Sequence, residues 1–154
     1  MTRIDFYVNV EERTRTACHL AARALEQQAR LFVLTRDEAH TAQVDRMMWC
    51  QPQLSFVPHV QASHALAART PVIVDHRHDP LPHDDVLVNL TDEPPPWFSR
   101  FSRLIEIVST DDADRARARS RWRFYRERGY ELNTVDVAAT ADAARSRPSR
   151  TARA

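Results

Sequence analysis

The chain has 154 residues, 43% hydrophobic and 28% charged, which is enough apolar material for one globular domain with a core of its own. Its formal net charge is +1, so no whole-molecule field draws nucleic acid, and an anionic partner must be met by a local patch. All 22 basic residues are arginine, which excludes Schiff-base lysine chemistry and any phosphate loop that depends on lysine.

The arginine bias is also what a G+C-rich genome produces. Cys18 and Cys50 lack motif spacing and read as reduced, packed thiols. The opening MTRIDFYVNVEERTR has no apolar signal-like run, and no window approaches the ~18 apolar residues of a membrane span. A soluble, cytoplasmic protein is expected.

IDFYVNV (4–10) reads as a first strand. From 11 to 30, Ala17, Leu20, Ala21, Ala24 and Leu25 recur at helical spacing and predict one buried face. RLFVLT (30–35) is a strand apolar enough to be covered on both sides. A second helix is predicted over 36–50, with Ala39, Val44, Met47 and Met48 inward. PVIVDH (71–76) and DVLVNL (85–90) are further strands, and LIEIVS (104–109) is read as the last parallel one. A final helix is expected over 110–128, capped by Thr110, with acids in its first turn and Gly129 just past its end.

Strands alternating with helices predict an α/β fold: three layers, a mostly parallel sheet flanked by helices, nucleotide-binding-like in architecture. A single domain is expected over 1–137, with a basic, disordered tail over 138–154. Such folds usually hold phosphates on glycine-rich turns, yet Gly129 is the chain's only glycine. Both G-x-G-x-x-G and the P-loop are therefore absent. No cofactor is expected.

Catalytic patterns fare no better. The histidine-rich segment 76–85 has imidazoles and carboxylates suited to a divalent ion, but its prolines favour a solvated loop between strands. Cys50 near His59 has no oxyanion-stabilising companion. No G-x-S-x-G turn supports a serine nucleophile. Trp49 and Phe56, around a proline-containing turn at a helix end, are either core residues or partner-binding anchors.

The densest chemistry is RARARSRWRFYRERGYELN (115–133), with seven arginines and four aromatics. At about 100° per residue, Arg115, Arg119, Trp122 and Arg126 share a helix face, with Arg123 beside them and Tyr125 toward the sheet. Such a stripe can grip phosphates, stack bases on Trp122, or receive carboxylates in bidentate pairs. A merely solvated arginine face is the plain alternative.

WCQPQLSFVPH (49–59) preceded by Asp45–Arg46, the FYV at 6–8, and RFYRERGYELN (123–133) together resemble the chi subunit family of bacterial DNA polymerase III, over about residues 1–137. The resemblance implies a non-catalytic accessory of the clamp-loader complex. It implies binding of the acidic C-terminal tail of single-stranded DNA-binding protein through Arg115, Arg119, Trp122, Arg123 and Val108. The family commonly has lysine where Arg115 and Arg123 stand and tyrosine at Trp122. It further implies a psi-contacting patch of Trp49, Phe56 and Pro58, which in the family also receives a helicase-like repair protein. On this reading nucleic acid is met mainly indirectly, and no metal is bound. Two other readings stand beside it: a direct single-stranded nucleic-acid binder using the arginine helix and tail, and, least favoured, a metalloenzyme built on the histidine-rich segment.

Overall fold

The computed structural model describes residues 2–50, 59–61, 70–77 and 83–138. Its elements run β1 (Arg3–Val10), α1 (Arg13–Glu26), β2 (Leu31–Leu34), α2 (Glu38–Cys50), β3 (His59–Val60), β4 (Val72–Asp75), β5 (Val86–Asn89), β6 (Arg103–Ser109), α3 (Asp112–Glu127) and β7 (Leu132–Asp136), with a 3₁₀ turn at Phe98–Arg100 before β6. The strands form one seven-stranded sheet in the order β3-β4-β2-β5-β6-β1-β7, and the pairings are parallel.

Layering follows from handedness. The crossover from β1 to β2 and the crossover from β6 to β7 run in opposite directions along the sheet. Right-handed connections therefore put α1 and α3 on opposite faces. Side chains of α1 and α2 pack with Val33, Val72, Val88 and Ile107 on one face. Those of α3 and the 3₁₀ turn pack with Phe6, Phe32, Leu87 and Leu104 on the other. This is the expected α/β arrangement.

Three details depart from the sequence reading. LIEIVS is not the last parallel strand, because β7 adds an edge beyond β1. Its apolar content is only Leu132 and Val135, which an edge strand tolerates and a search for apolar runs passes over. The cap of α3 is Asp111, whose carboxylate accepts from the Asp114 N–H, so Thr110 lies one residue outside. In α2, Ala39 is exposed while His40 and Thr41 are buried. The pair is drawn inward because Thr41 bonds Thr35 and Asp37. Gly129 does end α3 in the left-handed region, at φ 84°, and the Tyr130 N–H returns to the Tyr125 carbonyl.

What seats α3 is polar. Glu106, in the middle of β6, is fully buried. Its Oε2 accepts from Arg121 Nε at 2.8 Å. Its Oε1 accepts from Asn89 Nδ2 at 2.8 Å and from the Tyr125 hydroxyl at 2.7 Å. Burial and the neighbouring carboxylate raise the Tyr125 pKa, so the hydroxyl stays protonated and donates. Arg121, only 1% exposed, also donates to the Asp92 carbonyl. At the head of the helix, Asp114 accepts from the Ser109 N–H and hydroxyl at 2.8 and 2.9 Å and faces Arg13 at 3.5 Å.

Two stability predictions follow from these contacts. Removing one partner of a buried ion pair costs about 3–5 kcal/mol, so Arg121→Ala is expected to lose that much in urea unfolding. The exposed Arg119→Ala is expected to change stability by less than about 0.5 kcal/mol. For Asp114, burial opposes ionisation, but the Ser109 bonds and Arg13 outweigh it and hold the pKa below its ordinary 3.8. A lowered carboxylate pKa contributes stability that is full above the unfolded value and lost as pH falls through the folded one. Asp114→Asn is therefore expected to be less stable than the parent at pH 7 by about 1–3 kcal/mol. That gap should narrow in unfolding curves taken below pH 3.8.

Candidate functional site

On α3 the positions 115, 118, 119 and 122 follow i, i+3, i+4, i+7 and so share one face. That face closes over the upper part of β1 and the end of β6. The result is a cavity of about 250 Å³. Its floor is Phe6 and Val8 from β1, Val108 from β6 and Ala118 from α3. Trp122 forms one wall, half-buried, its indole edge-on to Phe6 at 5.0 Å between ring centroids. Arg115 and Arg119 stand at the rim, with Asn9 and Thr134 completing the lining.

The structure thus brings together four of the five residues singled out on this surface: Arg115, Arg119, Trp122 and Val108. Arg123 is exposed on α3 and lies outside the lining. Phe6, Val8 and Ala118 escaped the sequence reading. The strand alternation that puts Phe6 and Val8 on the face of Val108 was the available signal. Ala118 is the small residue between Arg115 and Arg119 that leaves the cavity open.

The seven arginines of the 115–128 stretch divide sharply. Arg121 is spent on Glu106, Arg117 pairs with Asp92 at 3.3 Å, and Arg128 lies 3.4 Å over the Phe124 ring. Arg115 donates to Asn9. The side chains of Arg119, Arg123 and Arg126 have no hydrogen-bond or ion-pair partner among the described residues. An unpaired guanidinium beside a shaped apolar cavity can receive a carboxylate whose neighbouring side chain enters the cavity.

Ligands of open parallel sheets bind where adjacent strand connections diverge. Here that crevice lies above β2 and β5, lined in part by Thr35, Arg36, His76 and Trp97. Two of the amides around the start of α2 are already occupied. Asp37 Oδ1 accepts from the His40 N–H at 2.8 Å, and His40 Nδ1 accepts from the Arg36 N–H at 3.2 Å. Burial lowers the His40 pKa, which keeps that acceptor available.

Among the described residues, no three His, Cys, Asp or Glu side chains gather as a metal site requires. Residues 78–82 of the histidine-rich segment lie outside the described residues. The side chain of Cys50, the thiol weighed as a nucleophile, lies outside what the structure describes, and burial pushes the other thiol, Cys18, up to about 12. No helix among the described residues is long and apolar enough to cross a membrane. Phe56 and Pro58, and the side chain of Trp49, lie outside what the structure describes.

Comparison with known proteins bears on the same residues. The DNA polymerase III chi subunit family, HolC, matches residues 1–133. The DNA polymerase III subunit chi of Pseudomonas aeruginosa is 38% identical over 136 residues, covering 86% of this chain and 94% of that protein. The proteins of the same name from Haemophilus influenzae and Escherichia coli are 31% and 28% identical. They cover 86% and 87% of this chain, and 96% and 90% of their own lengths. The matched span contains every element from β1 to α3 and the whole cavity except Thr134. A parallel α/β domain without a glycine-rich loop, matched over residues 1–133, belongs to the DNA polymerase III chi subunit family.

Proposed function

We propose that this chain is a non-catalytic adaptor of the replicative polymerase's clamp-loader complex. It binds the acidic C-terminal tail of single-stranded DNA-binding protein in the cavity under α3. A psi-type subunit, or a helicase-like repair protein in its stead, binds the separate patch of Trp49, Phe56 and Pro58.

The observation that carries the reading is an apolar cavity with two guanidinium groups at its rim, Arg119 without a partner among the described residues and Arg115 bonded to the neutral Asn9 amide. A peptide end of acids and apolar residues offers both halves: a side chain for Phe6, Val8, Val108 and Ala118, and carboxylates for Arg119 and Arg115. Arg119 takes the terminal carboxylate, Trp122 walls the apolar residue, and Arg115 with Arg123 meets the acids upstream. At about 250 Å³ the cavity is smaller than the roughly 300–1,000 Å³ of pockets for whole small-molecule ligands. It suits one side chain with its backbone.

A sugar-phosphate strand needs a continuous cationic track and an open aromatic face. Three of the helix arginines are already committed within the protein, and Trp122 meets Phe6 edge-on and is half-buried. These contacts favour the peptide over the nucleic acid.

Open charged pairs contribute modestly, so a dissociation constant near micromolar is expected, about 8 kcal/mol in total. It should weaken with salt, because the Debye length falls to about 8 Å at physiological ionic strength. Calorimetry with a peptide ending in acids and an apolar residue tests the site. Arg119→Ala is expected to bind roughly ten- to a hundred-fold more weakly, the loss of a charge-assisted bond. Equal binding by variant and parent contradicts the assignment. A single-stranded oligonucleotide that outcompetes the peptide with a steep salt slope favours direct nucleic-acid binding instead. In a pull-down from native lysate, Trp49→Ala and Arg119→Ala are expected to lose different partners.

A further inference from the structure

Asn9 sits at the rim of the cavity in a backbone conformation that few side chains accept. Its φ is 60°, in the left-handed region where asparagine is among the best tolerated non-glycine residues. The cause is a bulge. Tyr7 pairs with Ile107 while Val10 pairs with Ser109, so β1 uses three steps where β6 uses two.

The extra residue reverses the strand's alternation. Ile4, Phe6 and Val8 pack on the α3 side, and Val10, which unbroken alternation would place with them, packs with α1 and α2. At the reversal, the Asn9 side chain bridges two charged groups. Its Oδ1 accepts from Arg115 Nη2 at 2.9 Å, and its Nδ2 donates to Asp136 Oδ2 at 3.0 Å.

We infer that Asn9 is a positioning residue for peptide recognition: it holds the Arg115 guanidinium at the rim while leaving its positive charge unspent. The amide is suited to this because it is neutral and two-sided. It accepts from the arginine and donates to the carboxylate of β7, so Arg115 is steadied without an acid as its partner. A long, flexible side chain loses less freedom on binding when its guanidinium is already fixed. The group it is held for is an acidic side chain upstream of the peptide's end. This rests on the peptide-binding reading proposed above and adds to it a residue of the cavity lining that acts through Arg115.

The test uses the full chain, the same acidic–apolar peptide and three variants. Asn9→Gly keeps the left-handed backbone and removes the bridge. Asn9→Asp keeps a side chain that tolerates this conformation and places a negative charge on Arg115. Arg115→Ala removes the positioned group. Asn9→Gly is expected to weaken binding roughly three- to ten-fold, the range for one modest hydrogen bond, and Asn9→Asp to weaken it further.

In the Arg115→Ala background, Asn9→Gly is expected to have no further effect, since its whole influence passes through that arginine. The Arg115 Nε–Hε resonance, narrowly placed in the parent, is expected to average toward the solvent position in Asn9→Gly, with or without peptide. An equal loss in both backgrounds, or an unchanged Arg115 resonance, overturns the inference while leaving the site intact. Arg119→Ala serves as the control for the site itself. If the parent fails to bind, or Arg119→Ala binds as the parent does, the peptide reading falls and the role of Asn9 with it.

Discussion

The Glu106 carboxylate lies in the middle of a parallel sheet with no access to water, and three donors from two elements, α3 and β5, converge on it. A buried charge is tolerable only when paired and hydrogen-bonded, so the position of each donor is constrained. Arg121 and Tyr125 are one helical turn apart on α3, and fixing both fixes the helix in rotation and in register along its axis. Asn89 ties the neighbouring strand to the same carboxylate. An apolar seam alone would leave the helix freer to slide or roll.

The site is a consequence of that rotation. With Arg121 and Tyr125 turned to the sheet, 115, 119 and 122 come to the side that overhangs β1, and the arginines of one short stretch are sorted into internal and available ones. At the other end, the bonds of Asp114 to Ser109 and Arg13 hold the first turn of α3 close to the last residues of β6. Val108 therefore stays in the cavity floor. The same polar framework that seats the helix leaves its outer face charged and its lower face apolar, which is the combination an acidic peptide end requires.

Much of this was legible in the residues. Period-2 and period-3.6 patterns located β1, α1, β2, α2, β4, β5, β6 and α3 to within a few residues, because each is long or strongly apolar. The i, i+4, i+7 spacing of Arg115, Arg119 and Trp122 named half of the cavity. The other half comes from strands distant in sequence, and no local pattern says that Phe6 and Val8 will lie beneath α3. β7 was missed because an edge strand with polar residues on both sides carries no apolar run. Arg121 was not separated from its neighbours because its burial depends on Glu106, fifteen positions away. A glutamate at an inward position of LIEIVS was the available hint. The bulge at Asn9 had no signal at all beyond asparagine's own tolerance of the left-handed region.

The most direct measurement is a two-dimensional amide and indole NMR titration of the full chain with the acidic–apolar peptide. The account requires the Trp122 indole N–H and the amides of Val8, Asn9, Val108, Ala118 and Arg119 to shift together and saturate at one stoichiometric site. Shifts confined to another surface, or an indole signal that stays fixed while the peptide binds, contradict it.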